Sequence, residues 1–401
     1  MPHDELIGRP TAVQRLLDLR STLEVEATEP APVDRIAGRV LAERVTAETD
    51  SPSRSIATMD GYAIDATDGY PLKVVAEVFP EDDPPAVGDG EAVAIATGAP
   101  LPEGTNAVVK REDCELEGDR VTGPAVSPGT YAYERGSNVS AGETLYEAGE
   151  RLGPRESILL ADLGYEEISV RPRYSVGLLA TGTEIHEGRS KDLDSPMLAG
   201  LVREWSHEPT IEGSVPDTFE RVRDRIDELA ACHDVVITTG GTSVGHKDYV
   251  IRALAELGTV SFHGVRIRPG KPIAAARVPD RDAVALAIPG KPVGAYTIAI
   301  AVARALFTGE GTLPGAREAT VARSVGIPRE GFEYWIPVTV SEGEAMPLGH
   351  ADSPLSVYTE TFDPSVLSSS TRAVRADGVV ITETGLEAGE PVAVRPYEHF
   401  T

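Results

Sequence analysis

The sequence predicts a multidomain protein in which a central parallel α/β domain is flanked by regions rich in β-strands. The chain has 401 residues, which exceeds the size at which one hydrophobic core usually stops growing. From residue 174 to about 312, apolar strand patterns alternate with helical patterns, which is typical of a parallel sheet with right-handed crossovers. Before and after that region, short apolar segments are separated by Gly and Pro, which indicates β domains.

Residues 10–48 are predicted to be largely helical. Apolar side chains recur at helical spacing in two groups, the first around Leu16 and the second around Ile36. The segment EATEPAPVD between the groups is predicted to be a turn. From about 70 to 150 the pattern predicts a small β domain, and the segment RLGPRESILLADLG that follows predicts a short helix.

The central region contains two motifs that each follow a predicted strand. ATGTE at 180–184 follows a strand at 174–180, and TTGGTS at 238–243 follows a strand at 234–238. Because ligands of open α/β sheets bind outside the carboxyl ends of the strands, both motifs are expected on the same rim. Helices are predicted near 197–205, 219–231 and 249–257 and after Pro292, and a small C-terminal β domain from about 313.

The segment DVVITTGGTSVGHKD at 234–248 joins a strand to a glycine-rich turn. Gly240, Gly241 and Gly245 have no Cβ that would stop the backbone from curling around a ligand. The free N–H groups of such a turn favour phosphate. A plain β-α turn without a ligand remains the alternative interpretation.

The tetrapeptide PGKP occurs twice, at 269–272 and 289–292, and holds two of the six lysines of the chain, Lys271 and Lys291. A cation fixed in a rigid turn suits a phosphate or another oxyanion, and Arg268 adds charge nearby. Pro292 can occupy the first position of the following helix. The alternative is an exposed tight turn whose lysine binds nothing.

Four carboxylates accompany these motifs: Glu184, Asp194, Asp217 and Asp248. Carboxylates beside a phosphate site suggest Mg²⁺, which takes carboxylate and phosphate oxygens and keeps several waters. With 64 acidic residues in the chain, solvated surface is the alternative for each of them. For the segment SIATMDGYAI at 55–64, local sequence alone favours an Asp-Gly turn with Tyr62 in the core.

The composition predicts an acidic, salt-adapted protein. The net charge is −27, and 31 of the 37 basic residues are arginine. Such a charge opposes non-specific nucleic-acid binding, and self-repulsion at low ionic strength destabilises the compact state. An ordinary acidic protein from a non-saline source is the alternative.

Cysteine usage and hydropathy favour a soluble cytoplasmic protein. The two cysteines, Cys114 and Cys232, are too few for a disulfide framework, and their spacing matches no zinc site. The first residues show no basic leader or apolar run, and no segment reaches the ~20 apolar residues that span a membrane. We therefore expect no membrane or nucleic-acid partner.

Taken together, the motifs resemble the molybdopterin molybdenumtransferase family, known as MoeA and as the E domain of gephyrin. The resemblance spans nearly the whole chain. It rests on the segments MDGYAI (59–64), ATGAPLPEGTNAVV (96–109), RGSNVSAGE (135–143), ATGTEI (180–185), TTGGTSVGHKDY (238–249), RPGKP (268–272) and IPGKPVGA (288–295).

The resemblance implies an elongated homodimer of four-domain protomers, with a catalytic cleft between protomers. The expected domains are a discontinuous N-terminal helical domain (1–45 and 146–172), an inserted β domain (46–145), a molybdopterin-binding α/β domain (173–312) and a C-terminal barrel-like β domain (313–401).

The resemblance also implies a reaction and a set of site residues. Molybdate, or tungstate, joins adenylylated molybdopterin with the help of Mg²⁺, and AMP and molybdenum cofactor are released. Upstream adenylyltransferases and downstream molybdenum or tungsten enzymes would be partners. The implied catalytic residues are Asp60, Thr97, Glu184, Asp248 and Lys271; the implied metal ligands are Glu184, Asp217 and Asp248; and the implied cofactor-binding residues are Thr181, Gly182, Asp194, Ser195, Gly240, Gly241, Ser243, Gly245, Arg268, Pro289, Gly290, Lys291, Pro292 and Ser365.

The chain departs from the family pattern at several positions of the implied pocket. The family usually has lysine at Arg268, aspartate at Asn138, asparagine at Pro196, and Asn and Ser at Lys291 and Gly294. These departures leave three hypotheses: a retuned insertase that uses molybdate or tungstate, a paralogue that binds and delivers the cofactor without catalysis, and a molybdopterin adenylyltransferase. The flanking β domains argue against the last.

Overall fold

A computed structural model describes residues 6–23, 27–241 and 248–400. The described residues form two compact units. One comprises residues 27–172, and the other comprises 6–23 together with 173–241 and 248–400. Helix α1 (Arg9–Leu23) belongs to the second unit and packs through Leu16 into its main core.

The unit formed by residues 27–172 is built mainly from short strands. Its largest sheet has six strands in the order β7-β4-β6-β5-β9-β8, and three strand pairs, β1–β12, β2–β11 and β3–β10, lie outside that sheet. The elements are β1 (Glu29–Pro32), β2 (Val45–Thr46), β3 (Ile56–Ala57), β4 (Gly61–Ile64), β5 (Leu72–Val78), β6 (Glu91–Ile95), β7 (Ala107–Lys110), β8 (Glu115–Glu117), β9 (Arg120–Thr122), β10 (Ala132–Tyr133), β11 (Thr144–Tyr146), α2 (Glu156–Asp162) and β12 (Glu167–Val170).

Two expectations for the first 48 residues are wrong. The segment expected to be a turn contains strand β1, which pairs antiparallel with β12, and no helix forms around Ile36, where a 3-10 turn (Val33–Arg35) follows that strand. Ile36 and Leu41 are fully buried with Leu160. Their spacing therefore reflects packing against α2 rather than one face of a helix.

The second unit contains a central mixed sheet and a C-terminal barrel. Its elements after α1 are β13 (Ser175–Thr181), α3 (Thr183–His186), α4 (Asp194–Glu204), β14 (Glu208–Val215), α5 (Phe219–Ala230), β15 (Val235–Thr239), α6 (Tyr249–Leu257), β16 (Thr259–His263), β17 (Ile267–Arg268), β18 (Ala274–Val278), β19 (Ala283–Ile288), α7 (Pro292–Ile298), α8 (Arg304–Thr308), β20 (Arg317–Val321), β21 (Glu333–Ser341), β22 (Glu344–Pro347), β23 (Gly349–His350), β24 (Ser356–Tyr358), α9 (Pro364–Leu367), β25 (Gly378–Thr382) and β26 (Pro391–Pro396).

The central sheet has the order β14-β13-β15-β19-β18-β16. The first four strands are parallel, as predicted, while β18 runs antiparallel to both of its neighbours, β19 and β16. The antiparallel edge arises because β18 connects to β19 by a short 3-10 turn (Pro279–Arg281) followed by left-handed Asp282, and so short a connection joins only antiparallel strands. The sequence pattern did not predict this edge.

Helices cover both faces of the central sheet. Alternate residues of each buried strand point to opposite faces, so Val235 and Ile237 pack toward α1, α4 and α7, whereas Val236 packs toward α5 and α6. Helix α7 continues through a π-helical turn (Ala299–Ala303) into α8. The resulting three-layer packing fixes the carboxyl ends of β13, β15 and β19 side by side.

The C-terminal region forms a small closed barrel. Strands β21, β22, β20, β26 and β25 follow one another around it, and an additional pairing of β21 with β25 closes it. Tyr334, Ile336 and Val380 belong to its buried core. Strand β17 pairs parallel with β21, which joins the segment before the first PGKP turn to the barrel. The predicted barrel-like C-terminal domain is confirmed.

Candidate functional site

The two motifs predicted to share a rim are neighbours at the carboxyl end of the central sheet. Strands β13 and β15 pair in parallel, and the Oγ1 hydroxyl of buried Thr181 donates a hydrogen bond of 2.9 Å to the carbonyl oxygen of Thr239. Gly182 and Gly240 follow these threonines directly. The rim prediction is therefore confirmed.

Backbones approach so closely at this rim that side chains are excluded. At Gly240 (φ +84°), an added Cβ would lie 2.8 Å from the carbonyl oxygen of Thr181, and at Gly241 (φ +62°) it would lie 2.7 Å from Val250. An added Cβ at Gly290 would lie 3.0 Å from the Cα of Gly240. Both positive φ values belong to the region that only glycine adopts readily. The predicted residues Ser243 and Gly245 lie outside the described residues.

Asp194 and Ser195 begin helix α4 at the same rim. Asp194 is 6% exposed and Ser195 is fully buried. The Oδ1 atom of Asp194 and the Oγ atom of Ser195 have no hydrogen-bond partner within the described part of the chain. A buried polar atom without a partner costs free energy, so both atoms are candidates for contact with a polar ligand.

Neighbouring groups explain the position and the pKa of Asp194. Its backbone N–H and that of Ser195 both donate to Oδ1 of Asp192, at 3.1 and 3.0 Å. A Cβ at Gly290 would lie 3.9 Å from the Oδ2 atom of Asp194, which places the carboxyl beside the glycine rim. Burial, together with the charge of Asp192, raises the pKa of Asp194 to about 6.

The other predicted carboxylates are only partly gathered. Asp217 is joined to Thr183 by two hydrogen bonds, from Thr183 N to Asp217 Oδ2 (3.4 Å) and from Asp217 N to Thr183 Oγ1 (3.1 Å). This places Asp217 beside the residue that precedes Glu184. Asp248 caps α6 by accepting a hydrogen bond from Ile251 N at 3.4 Å. The described residues contain no group of three or more His, Cys, Asp or Glu able to hold a metal ion.

A cavity of about 250 Å³ gathers the predicted cations. The guanidinium of Arg268 lies over the ring of Phe332, 4.5 Å from its centroid, and Lys291 Nζ donates to the carbonyl oxygen of Ser365 at 3.2 Å. Lys271 completes the group of three cations. The cavity, named here the cation pocket, is lined by Arg268, Pro269, Gly270, Lys271, Pro272, Pro289, Lys291, Gly294, Pro364, Ser365 and Ser368.

Sequence reasoning missed Ser368 in the cation pocket. Ser368 is buried; its hydroxyl donates to Ser365 O at 3.0 Å, and its carbonyl oxygen accepts from Val293 N at 3.0 Å. The latter bond connects α7, which Pro292 begins, to the segment after α9. The only local signal was the serine run at 368–370, which by itself indicates a surface turn.

In the unit formed by residues 27–172, Asp60 and Thr97 form a hydrogen-bonded pair. The Oδ1 atom of Asp60 accepts from Thr97 N at 2.7 Å and from Thr97 Oγ1 at 2.8 Å. These bonds, with a contribution from the nearby charge of Arg111, lower the pKa of Asp60 below its ordinary value. Tyr62 is buried, as expected, and Asp60 is an exposed, ionised carboxylate.

The unit formed by residues 27–172 contains a cavity of its own, of about 570 Å³, named here the Ser51–Asp162 pocket. Ser51 Oγ donates to Asp162 Oδ2 at 2.5 Å, and Asn138 Nδ2 lies 3.4 Å from the same oxygen. None of these residues was predicted to bind a ligand, although Asn138 was noted as a departure from the family. The pocket is lined by Ser51, Pro52, Ile56, Tyr133, Asn138, Arg155, Ile158, Leu159 and Asp162.

Among the described residues, no helix combines the length and the apolar character that crossing a membrane requires.

Family models match two stretches of the chain. Residues 10–164 match the MoeA N-terminal region (domain I and II), and residues 177–308 match a probable molybdopterin binding domain.

Individual relatives agree with these matches. The chain is 31% identical to a molybdopterin molybdenumtransferase from Synechococcus elongatus, over 72% of this chain and 76% of that protein. It is 28% identical to a molybdopterin molybdenumtransferase from Haemophilus influenzae, over 93% of this chain and 95% of that protein. A crystal structure of the molybdopterin biosynthesis MoeA protein from Pyrococcus horikoshii superposes with a TM-score of 0.79, at 25% identity, and covers 98% of this chain and 100% of that one.

The glycine rim, the cation pocket and the barrel thus occur in a chain whose sequence matches this family along most of its length. The chain belongs to the molybdopterin molybdenumtransferase (MoeA) family.

Proposed function

We propose that this protein inserts molybdate, or tungstate, into adenylylated molybdopterin and releases AMP and the metallated cofactor. The observation that supports this function best is the cation pocket, which gathers Arg268, Lys271 and Lys291 around a cavity of about 250 Å³. Molybdate and tungstate are tetrahedral dianions. Arg268 and Lys271 are half-buried and Lys291 is exposed, and cations in a partly buried cavity attract such an anion more strongly than they would in bulk water.

The pocket offers two kinds of group to an oxyanion. Lys271 and Lys291 are compact charges held by rigid Pro/Gly turns, whereas the planar guanidinium of Arg268 can present two parallel N–H donors. Its position is fixed by stacking on Phe332. The arginine at 268 therefore keeps the charge that the family usually has there, and Lys291 adds one. This extra charge favours a retuned insertase over a protein that has lost its anion site.

The glycine rim is proposed to bind the cofactor part of the substrate. Gly240 and Gly290 let the backbones of the rim approach one another, while the N–H groups of Gly182 and Gly240 already donate to Val215 O and Ile288 O. Asp194 and Ser195 supply buried polar atoms that a ligand can satisfy. A carboxyl with a pKa of about 6 can accept a hydrogen bond when ionised and donate one when protonated.

The carboxylates are proposed to bind Mg²⁺ together with the substrate. Mg²⁺ takes one or two carboxylates and completes its shell with phosphate oxygens and water, and Glu184, Asp217 and Asp248 are the carboxylates proposed for it. When bound, Mg²⁺ would neutralise charge that develops on the phosphoanhydride. Glu184 and Asp217 would orient the phosphate, and Lys271 would neutralise the oxyanion.

The reaction balances without an external oxidant. The two dithiolene thiols of molybdopterin bind molybdenum, and their protons leave with one oxo group of molybdate as water. A water molecule attacks the phosphoanhydride, AMP leaves, the other phosphate stays on the cofactor, and this cleavage supplies the driving force. Asp60 and Thr97 are proposed as further catalytic residues. The proposed protein is a cytoplasmic, salt-adapted homodimer with the four-domain division predicted from sequence. Its proposed partners are an upstream adenylyltransferase and downstream molybdenum or tungsten enzymes.

The test is an AMP-release assay on adenylylated molybdopterin with Mg²⁺ in high salt. Three samples contain no oxyanion, molybdate or tungstate, and Asp60→Asn serves as a catalytic control. Release that depends on an oxyanion and falls in the variant supports insertion and identifies the metal. Tight substrate binding without release would instead favour a carrier, and ATP consumption without adenylylated substrate would favour an adenylyltransferase.

A further inference from the structure

The Ser51–Asp162 pocket contains no residue that was given a role in the function proposed above, and it holds a carboxylate oriented by two donors. Asp162 is the last residue of α2. A negative charge at the C-terminal end of a helix opposes the partial negative charge of the unpaired carbonyl groups there. The position is therefore unfavourable for an aspartate unless other groups hold the carboxylate.

Two donors hold it. Ser51, which is 8% exposed, donates from Oγ to Asp162 Oδ2 at 2.5 Å. Asn138 Nδ2 lies 3.4 Å from the same oxygen and 3.4 Å from Ser51 Oγ. Both contacts use Oδ2, and Asp162 is exposed, so its other carboxylate oxygen is accessible from the pocket.

The donors are themselves fixed by backbone hydrogen bonds. Asn138 N donates to Ser51 O at 3.0 Å, and Ser51 N donates to Val139 O at 2.8 Å. Asp50 holds the same loop, because its carboxylate accepts from Ala141 N at 2.9 Å and from Arg135 Nε at 2.7 Å. The Asn138 amide is thus kept beside Asp162 by the chain itself.

This arrangement changes the meaning of Asn138. An asparagine in place of the family's aspartate removes a negative charge from that position, but the carboxylate of Asp162 lies 3.4 Å from the Asn138 amide nitrogen. A carboxylate beside position 138 is therefore supplied by α2. Asn138 has become a donor that orients it.

The walls of the pocket indicate the kind of ligand. Ile56, Ile158 and Leu159 give it apolar surface, while Asp162 and Arg155 give it opposite charges. A flat heterocycle that carries N–H donors suits such a cavity, since its faces contact apolar side chains and its edge reaches the carboxylate. Strand β3 connects the pocket to the proposed catalytic pair: Ile56 lines the cavity, and the neighbouring Ala57 O accepts from Gly98 N, next to Thr97, at 2.7 Å.

We propose that Asp162, positioned by Ser51 and Asn138, accepts a hydrogen bond from the N–H edge of the substrate heterocycle, in a chain where Asn138 stands in place of the aspartate that the resemblance implies. The proposal rests on the proposed function for the identity of the substrate. Both the pterin and the adenine of adenylylated molybdopterin have such an edge. The pterin and the adenine would make the same hydrogen bond, and separate probes show which of the two rings binds.

The experiment is a binding titration of the full-length protein with two probes, neopterin and AMP, in the absence of molybdate. Wild type is compared with Asp162→Asn, with the exchange Asn138→Asp/Asp162→Asn, and with Asp119→Asn, which removes one charge from the turn between β8 and β9. Asparagine can still accept from Ser51, so the fold is retained, and circular dichroism checks this. Ser51→Ala is a second variant that loosens Asp162 without removing its charge.

We expect wild type to bind at least one probe, Asp162→Asn to weaken that binding at least tenfold, and Ser51→Ala to weaken it less. The exchange variant should recover affinity to within about threefold of wild type, because the charge returns to position 138, and Asp119→Asn should bind as wild type does. Binding by Asp162→Asn equal to wild type, or no recovery in the exchange variant, would overturn the proposal, as would failure of wild type to bind either probe. Because no turnover is measured, absence of AMP release in the assay above would contradict the proposed function alone.

Discussion

Asp60 and Thr97 are 37 positions apart in the chain, yet one oxygen of the Asp60 carboxylate accepts both the backbone and the side-chain hydrogen bond of Thr97, at 2.7 and 2.8 Å. Asp60 directly precedes β4, and Thr97 is the second residue after the end of β6, which is the neighbour of β4 in one sheet. Because both donors stabilise the ionised form, the pKa of Asp60 is lowered. The carboxylate remains exposed and charged.

Thr97→Val should raise the pKa of Asp60 toward its ordinary value, because the hydroxyl donor is lost and only the backbone donor remains. A lowered pKa in the folded state stabilises the protein above the unfolded pKa, and this contribution disappears as pH falls through the folded pKa. The variant should thus differ from wild type near neutral pH and converge with it in acid. Carboxyl NMR titration measures the shift, and Thr97→Ser should titrate as wild type. An unchanged pKa in Thr97→Val would contradict the role of the hydroxyl.

Asp194→Asn should remove a pH dependence of stability. The folded pKa of about 6 is above the ordinary 3.8, so the folded state binds more protons, and wild type loses stability as pH rises between these values. The loss is on the order of 3 kcal/mol by linkage. Asparagine does not titrate, so the variant should be more stable relative to wild type at pH 7 than at pH 4. Urea denaturation at both pH values measures this, and parallel stabilities at the two pH values would contradict the burial of a titrating carboxyl.

Lys271→Met and Lys291→Met should each weaken molybdate binding about tenfold, which corresponds to about 1.4 kcal/mol. Each change removes a charge from the cation pocket and keeps the length of the side chain. Arg268→Lys should have a smaller effect, since charge remains while the stack on Phe332 is lost. Equilibrium dialysis with molybdenum analysis gives the affinities. Lys73→Met, on strand β5 of the other unit, is the matched control, and equal weakening by it would indicate a general effect of net charge.

Gly240→Ala should destabilise the protein by about 2 kcal/mol more than Gly118→Ala. Both glycines have positive φ, +84° and +67°, so both variants bear the cost of a left-handed alanine. Only at Gly240 does the added Cβ approach another backbone, 2.8 Å from Thr181 O, whereas nothing lies within 4 Å at Gly118. Urea denaturation of the two variants isolates the close approach, and equal losses would show that strain in φ alone explains the glycine.

The sequence was sufficient to predict the rim because its signals are local. A strand followed by glycine places Thr181 and Gly240 at the carboxyl end of a sheet wherever that sheet lies. The cations were found for the same reason, since each PGKP turn is complete in four residues. Neither pattern required knowledge of distant contacts.

What the sequence could not predict depends on contacts between distant segments. Strand β1 forms because it pairs with β12, more than 130 positions later. Ser368 enters the cation pocket through its hydrogen bond with Val293. From sequence, Asn138 could be recognised only as the loss of a charge. The carboxylate beside it comes from Asp162 on α2, and the sequence pattern predicts that helix but not which residues it contacts.

The most direct measurement is the ratio of metal bound in the dithiolene product to AMP released, obtained by elemental analysis of the cofactor and chromatography of the nucleotide from the same reaction. We predict one molybdenum or tungsten atom per AMP, with little AMP released when no oxyanion is added. AMP released at the same rate without oxyanion, and with no metal in the product, would contradict insertion and show a hydrolase acting on the adenylylated substrate.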